Sequence, residues 1–147
     1  MATTYNGLQF RTQLEAQWAA FFDLAKWDWR VNPAPVGDWA PDFRVTFPCN
    51  HSECSGSHTL LVAILPLAHQ EDLKGHPSLL HIYGIHQAYN EEYRLHGVSI
   101  DAGAIFGASP RASTWVMSHG SGGGVESVVD WVNHPDSLWT QAARLLK

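Results

Sequence analysis

Four side chains that ligate soft or borderline metals fall within ten residues of this sequence: Cys49, His51, Cys54 and His58. Two thiolates and two imidazoles suit tetrahedral zinc, so the cluster is a zinc candidate. Its spacing, Cys-x-His-x-x-Cys-x-x-x-His, is not that of the usual zinc fingers, and so short a segment has little chain with which to wrap four ligands around one ion. The plainer reading is a polar hairpin loop with reduced thiols, and the spacing favours it. The other histidines, at 69, 76, 81, 86, 96, 119 and 134, show no helical metal spacing. His81 lies in an apolar run and reads as a hydrogen-bonded core residue. The glycine-rich stretch 120–124 lacks the Lys-Ser/Thr of a phosphate-binding loop, and Ser118 and Ser121 have no ordered His and Asp partners for nucleophilic catalysis. Two carboxylates remain. Glu15 stands on the flank of a helical stripe, where pairing with Arg11 four residues earlier would contribute roughly a few tenths of a kcal/mol. Asp42 follows Pro41 and reads as a residue at the start of a strand that satisfies a local backbone N–H.

The elements that would position these groups follow from periodicity. Phe10, Leu14, Trp18, Phe21 and Ala25 recur at helical spacing, which predicts a helix over residues 8–26 with Lys26 at its negative end. Residues 27–31 alternate as a half-buried strand, 32–38 form a loop with two prolines and a glycine, and 42–47 alternate again. Residues 49–58 are polar and turn-rich. The continuous apolar run 60–65 predicts a central strand covered on both faces, ended by Pro66. A short helix is expected at 70–75 and a second buried strand at 79–85. Segments 93–100, 102–107 and 114–117 could be strands or irregular. Residues 120–124 read as a mobile turn, and 125–131 as helix or strand. A last helix starts at Pro135, with Asn133 or His134 as its cap and Leu138, Ala142 and Leu145 as its apolar stripe. The aromatic group Trp27, Trp29 and Trp39 reads as core rather than as a base-stacking platform.

The chain has 147 residues, a length suited to a single domain over 1–147 that buries a core without staples. Its net charge of −5, with nine Lys and Arg, argues against strong sequence-independent nucleic-acid binding. No apolar run reaches membrane-spanning length, and residues 1–7 carry no basic region followed by an apolar stretch, so no signal peptide is read. Two cysteines do not make a disulfide framework. A reduced, cytoplasmic setting without membrane contact is expected, and the sequence sets no oligomeric state.

The opening segment, Tyr5-x-Gly7-x-x-Phe10-Arg11-x-x-Leu14-Glu15-Ala16-x-Trp18-Ala19-x-Phe21-Phe22-Asp23, followed by Pro41-Asp42-Phe43, resembles the PD-(D/E)XK, restriction-endonuclease-like family of small phage and mobile-element proteins. The resemblance covers roughly residues 5–66. It implies an α/β (α+β) fold, a central mixed sheet flanked by an N-terminal and a C-terminal helix. It also implies Mg²⁺ held by an Asp at the start of one strand and an acid on the next, with a nearby Lys and a helix Glu in support; such an ion activates water and stabilises developing phosphate charge. Glu15 and Asp42 stand at two of these positions. The strand that should read acid-x-Lys reads Ala63-Ile64-Leu65, and residues 59–67 hold no charged side chain. Neither replacement can bind a hard cation or a proton. The site is vestigial on this reading, unless Glu71, Asp72 or Lys74 is brought to Asp42.

Two classes of function follow. One is a DNA-processing protein, either an active Mg²⁺-dependent phosphodiester hydrolase with displaced residues or a pseudoenzyme that binds nucleic acid without cutting it. The other is a protein-interaction inhibitor that docks on a host or phage protein complex, as anti-CRISPR proteins do. The residues favour a non-catalytic protein associated with nucleic acid or a nucleic-acid-processing complex, with no cofactor expected, Mg²⁺ if active, and zinc as an open possibility.

Overall fold

The computed structural model describes residues 3–33, 35, 39–49, 56–76, 79, 100–119 and 122–146. The chain opens with a hairpin of β1 (Thr3–Tyr5) and β2 (Leu8–Phe10), turned by Asn6 and Gly7, both at positive φ. Asn-Gly is the strongest short hairpin signal because both central residues of its turn must adopt positive φ. The helix expected over 8–26 therefore starts late, as α1 (Gln13–Ala25), where the Thr12 side chain accepts the Glu15 N–H at 3.1 Å. Phe10 keeps its apolar role, but from a strand. Lys26 ends α1 in the left-handed region at φ 64°, its N–H on Asp23 O.

Six described strands form one mixed sheet in the order β3 (Asp28–Val31), β4 (Phe43–Pro48), β5 (Ser57–Ile64), β6 (Ala102–Phe106), β7 (Ser113–His119) and β8 (Gly122–Glu126). All neighbouring pairs are antiparallel except β5 and β6, which run parallel. Residues 122–124, expected in a mobile turn, belong to the edge strand β8; glycine weakens a strand without preventing ladder hydrogen bonds. The expected short helix is a 3₁₀ turn at Gln70–Leu73, and a second 3₁₀ turn covers Val128–Asp130. Of the strand expected at 79–85, with His81, all but Leu79 lies outside the described residues, as does most of the segment expected at 93–100.

The C-terminal helix, α2 (Pro135–Arg144), has Pro at its start and His134 at its cap with φ 54°; His134 makes no side-chain cap hydrogen bond. Of the expected stripe, Ala142 is buried and Leu138 packs on the core, but Leu145 is exposed, and Trp139 and Leu146 take its place against the core. The helix therefore presents a face rotated from the one read by counting from Leu138.

The two helices among the described residues lie on one face of the sheet, packed on each other. Trp18 is fully buried and sits 4.6 Å from the Trp139 ring and 4.8 Å from Phe106, while Gln17 donates to Trp139 O at 3.1 Å. Alternation sends Phe43, Val45, Phe47, Leu60, Val62, Phe106 and Trp115 to this face. Burying each large side chain contributes about 1.5–3 kcal/mol. Among the described residues no helix is long and apolar enough to cross a membrane.

Candidate functional site

Glu15 and Asp42, 27 positions apart in sequence, meet through a third residue. The Arg11 Nη2 lies 3.1 Å from Glu15 Oε1 and 2.5 Å from Asp42 Oδ1. The hairpin and the Thr12 cap set Arg11 just before the cap of α1, and Glu15 follows in the first turn on the same side. Pairing of β4 with β5 sets Asp42. Its N–H donates to Val62 O at 2.8 Å, its O accepts the Asn32 N–H at 3.1 Å, and its Oδ2 accepts the Ile64 N–H at 2.8 Å. Bracketed by Val62 and Ile64, and one step past the Phe43–Val62 pair, Asp42 stands beside Ala63. The three residues line a pocket of about 230 Å³ together with Leu8, Phe10 and Asn32.

The two carboxylates are sheltered, with 13% and 17% side-chain exposure, under a guanidinium that is 73% exposed. Burial pushes the Glu15 carboxyl above its ordinary range; Arg11 pulls it down and the Asp42 charge pushes it up again. The Arg11 guanidinium is itself held more firmly protonated by Glu15 and then by Asp42. Glu15 thus pairs with Arg11, as its place four residues later allowed, and Asp42 shares the same guanidinium. Arg11 is the site residue that the sequence reading left as a bystander. Its signal was present in Thr12-x-x-Glu15, a capping-box pattern that puts the residue just before the cap at the mouth of the helix.

Compared with protein-family models, curated proteins and solved structures, the chain has no match.

The magnesium implied by the resemblance does not fit the residues at this site. A guanidinium already bridges the two carboxylates, Asp42 Oδ2 is engaged by a backbone N–H, and the position beside Asp42 is the buried methyl of Ala63. A divalent ion would have to displace the guanidinium or share the carboxylates with it at close range. Leu65 is half-buried, with its N–H on Phe106 O. Glu71, Asp72 and Lys74, the candidates for recruitment, lie away from Asp42. Their 3₁₀ turn packs on β7, with Gln70 donating to Ser113 O and Glu71 and Lys74 facing Thr114 and Val116. Asp42 is three strands away, about 14 Å at ordinary strand spacing.

Of the zinc candidates, Cys49 and His58 are both buried at one end of the β4–β5 hairpin. The Cys49 N–H donates to Gly56 O at 2.9 Å, and His58 is paired with Phe47. His58 Nδ1 is 3.4 Å from Asp101 Oδ1, and Asp101 Oδ2 accepts the Thr59 N–H at 2.8 Å. His51 and Cys54 lie outside the described residues. Among the described residues, no three His, Cys, Asp or Glu side chains are grouped to hold a metal.

Proposed function

We propose that this chain is a non-catalytic cytoplasmic protein on a degenerate PD-(D/E)XK nuclease core, of phage or mobile-element type. It acts by associating with nucleic acid or with a nucleic-acid-processing complex. The observation that carries the reading is the closed charge set of Arg11, Glu15 and Asp42 beside Ala63: the guanidinium neutralises the carboxylates where hydrolysis would require a metal ion and a third acidic ligand. The order of elements is in keeping with it. A helix precedes three antiparallel strands, and a further strand runs parallel to the third, with Asp42 at the start of the second. Loss of an acid at the buried position 63 also removes a group that is costly when unpaired.

The test is cleavage of linear and branched DNA with Mg²⁺ and with Mn²⁺, by the wild-type chain and by Asp42→Ala. No cleavage by either is expected; cleavage that disappears in Asp42→Ala would overturn the non-catalytic reading. Affinity capture from host lysate, with and without nuclease treatment, separates the two kinds of partner. Partners lost on nuclease treatment support nucleic-acid association, and partners retained favour the protein-docking inhibitor instead.

A further inference from the structure

The pairing of β3 with β4 places Arg30 directly opposite Arg44. Residues opposite one another in an antiparallel pair share a face, with Cβ atoms about 4.5–5.5 Å apart, and like charges there are destabilising. Trp29 and Val31 pack on the core, so Arg30 and Arg44 stand on the other face of the sheet. Arg30 is exposed and Arg44 half-buried. Neither guanidinium has a hydrogen bond or an ion pair among the described residues. Asp28, next but one to Arg30 on the same face, forms no ion pair with either among those residues.

This is an uneconomical use of arginine for a chain that has nine Lys and Arg and a net charge of −5. Arg11 and Arg111, by contrast, are each matched to carboxylates. An opposed, unmatched pair gains from an external anion that takes both guanidiniums. The planar fork of Arg fits phosphate oxygens in pairs. Arg44 is two residues past Asp42, so such an anion would lie next to the vestigial site.

We infer that Arg30 and Arg44 form a phosphate clamp for a nucleic-acid backbone. The inference rests on the nucleic-acid reading above and assigns it a surface. Because the net charge is negative, the chain exerts little long-range pull on a polyanion, and the interaction must be local.

The test is fluorescence anisotropy with a labelled DNA duplex of about 30 base pairs and its single strand, over a salt series. The wild-type chain is compared with Arg30→Gln/Arg44→Gln and with Arg111→Gln, whose side chain pairs with Asp136. The double variant is expected to bind more weakly and to lower the log–log salt slope by about two, one for each phosphate that is no longer neutralised. Arg111→Gln is expected to match wild type. In parallel, Arg30→Glu puts a carboxylate opposite Arg44 and is expected to raise the thermal midpoint by roughly 1–4 °C while weakening binding. Unchanged binding and slope in the double variant would overturn the clamp and leave the functional reading standing. No binding by wild type would overturn the reading of direct nucleic-acid association, and the clamp with it. A lower midpoint for Arg30→Glu would remove the premise that the pair is repulsive.

Discussion

The carboxylate of Asp42 accepts the backbone N–H of Ile64 at 2.8 Å, across the end of the β4–β5 ladder. Asp42, which the resemblance would place at a metal-ligand position, works here as an acceptor for a strand amide. Asp42→Ala leaves that amide without its acceptor and Arg11 without one of its two carboxylates. We expect a loss of about 1.5–3 kcal/mol in urea unfolding, and a smaller loss for Asp42→Asn, which keeps an acceptor oxygen. Equal stability of wild type and Asp42→Ala would refute the structural role.

Arg11 separates two sheltered carboxylates. Arg11→Met removes the charge and retains much of the apolar stem, leaving Glu15 and Asp42 to repel one another. The variant should be less stable than wild type at neutral pH and recover on acidification, as one carboxylate takes up a proton. Thermal unfolding followed across pH 4–8 checks this; a deficit that does not depend on pH would point to poorer packing instead.

Glu15 supplies a pH dependence with a definite sign. Burial raises its native carboxyl above the ordinary 4.5, so in that range the native state holds more protons than the unfolded chain. The resulting stabilisation is complete below about 4.5 and is lost as pH rises through the higher native value. Glu15→Gln removes this slope. Wild-type stability relative to the variant should fall as pH rises from about 4.5 and then level off. A relative stability that rises with pH would show that the pull of Arg11 outweighs burial.

Trp18 is anchored by an N–H···O bond of 2.8 Å to the carbonyl of Gly107, 89 residues later. A Cβ on Gly107 would lie 2.5 Å from Leu67 O and 2.6 Å from Ala112 O. These are backbone atoms that cannot swing aside. Gly107→Ala should cost about 3 kcal/mol or more. Trp18→Phe keeps an aromatic ring but leaves the carbonyl without its donor and the core short of atoms, and should cost about 2–4 kcal/mol. Chemical denaturation of both variants checks this; a Gly107→Ala variant within about 1 kcal/mol of wild type would mean that the backbone packing between residues 67 and 112 is loose.

The sequence by itself determined the elements whose cause is local. Trp18 and Phe21 recur at helical spacing, Trp29 and Val31 alternate, and Leu60–Ile64 is apolar throughout, because burial of one stripe or one face imposes its period on neighbouring residues. It also held, unread, the Asn6-Gly7 turn and the Thr12 cap that displace residues 8–12 from the helix. Glu15, Asp42, Ala63 and Leu65 could be singled out only as positions in a pattern. Tertiary structure decided what they touch. Strand register set Asp42 beside Ala63 and Ile64 and put Arg30 opposite Arg44; a slip of one residue would have sent each to the other face. Packing of Trp139 on Trp18 put α1 and α2 on one side of the sheet, and strand order carried Glu71 and Lys74 away from Asp42. These relations join residues tens of positions apart, and they are selected by the fit of whole faces rather than by any local periodicity.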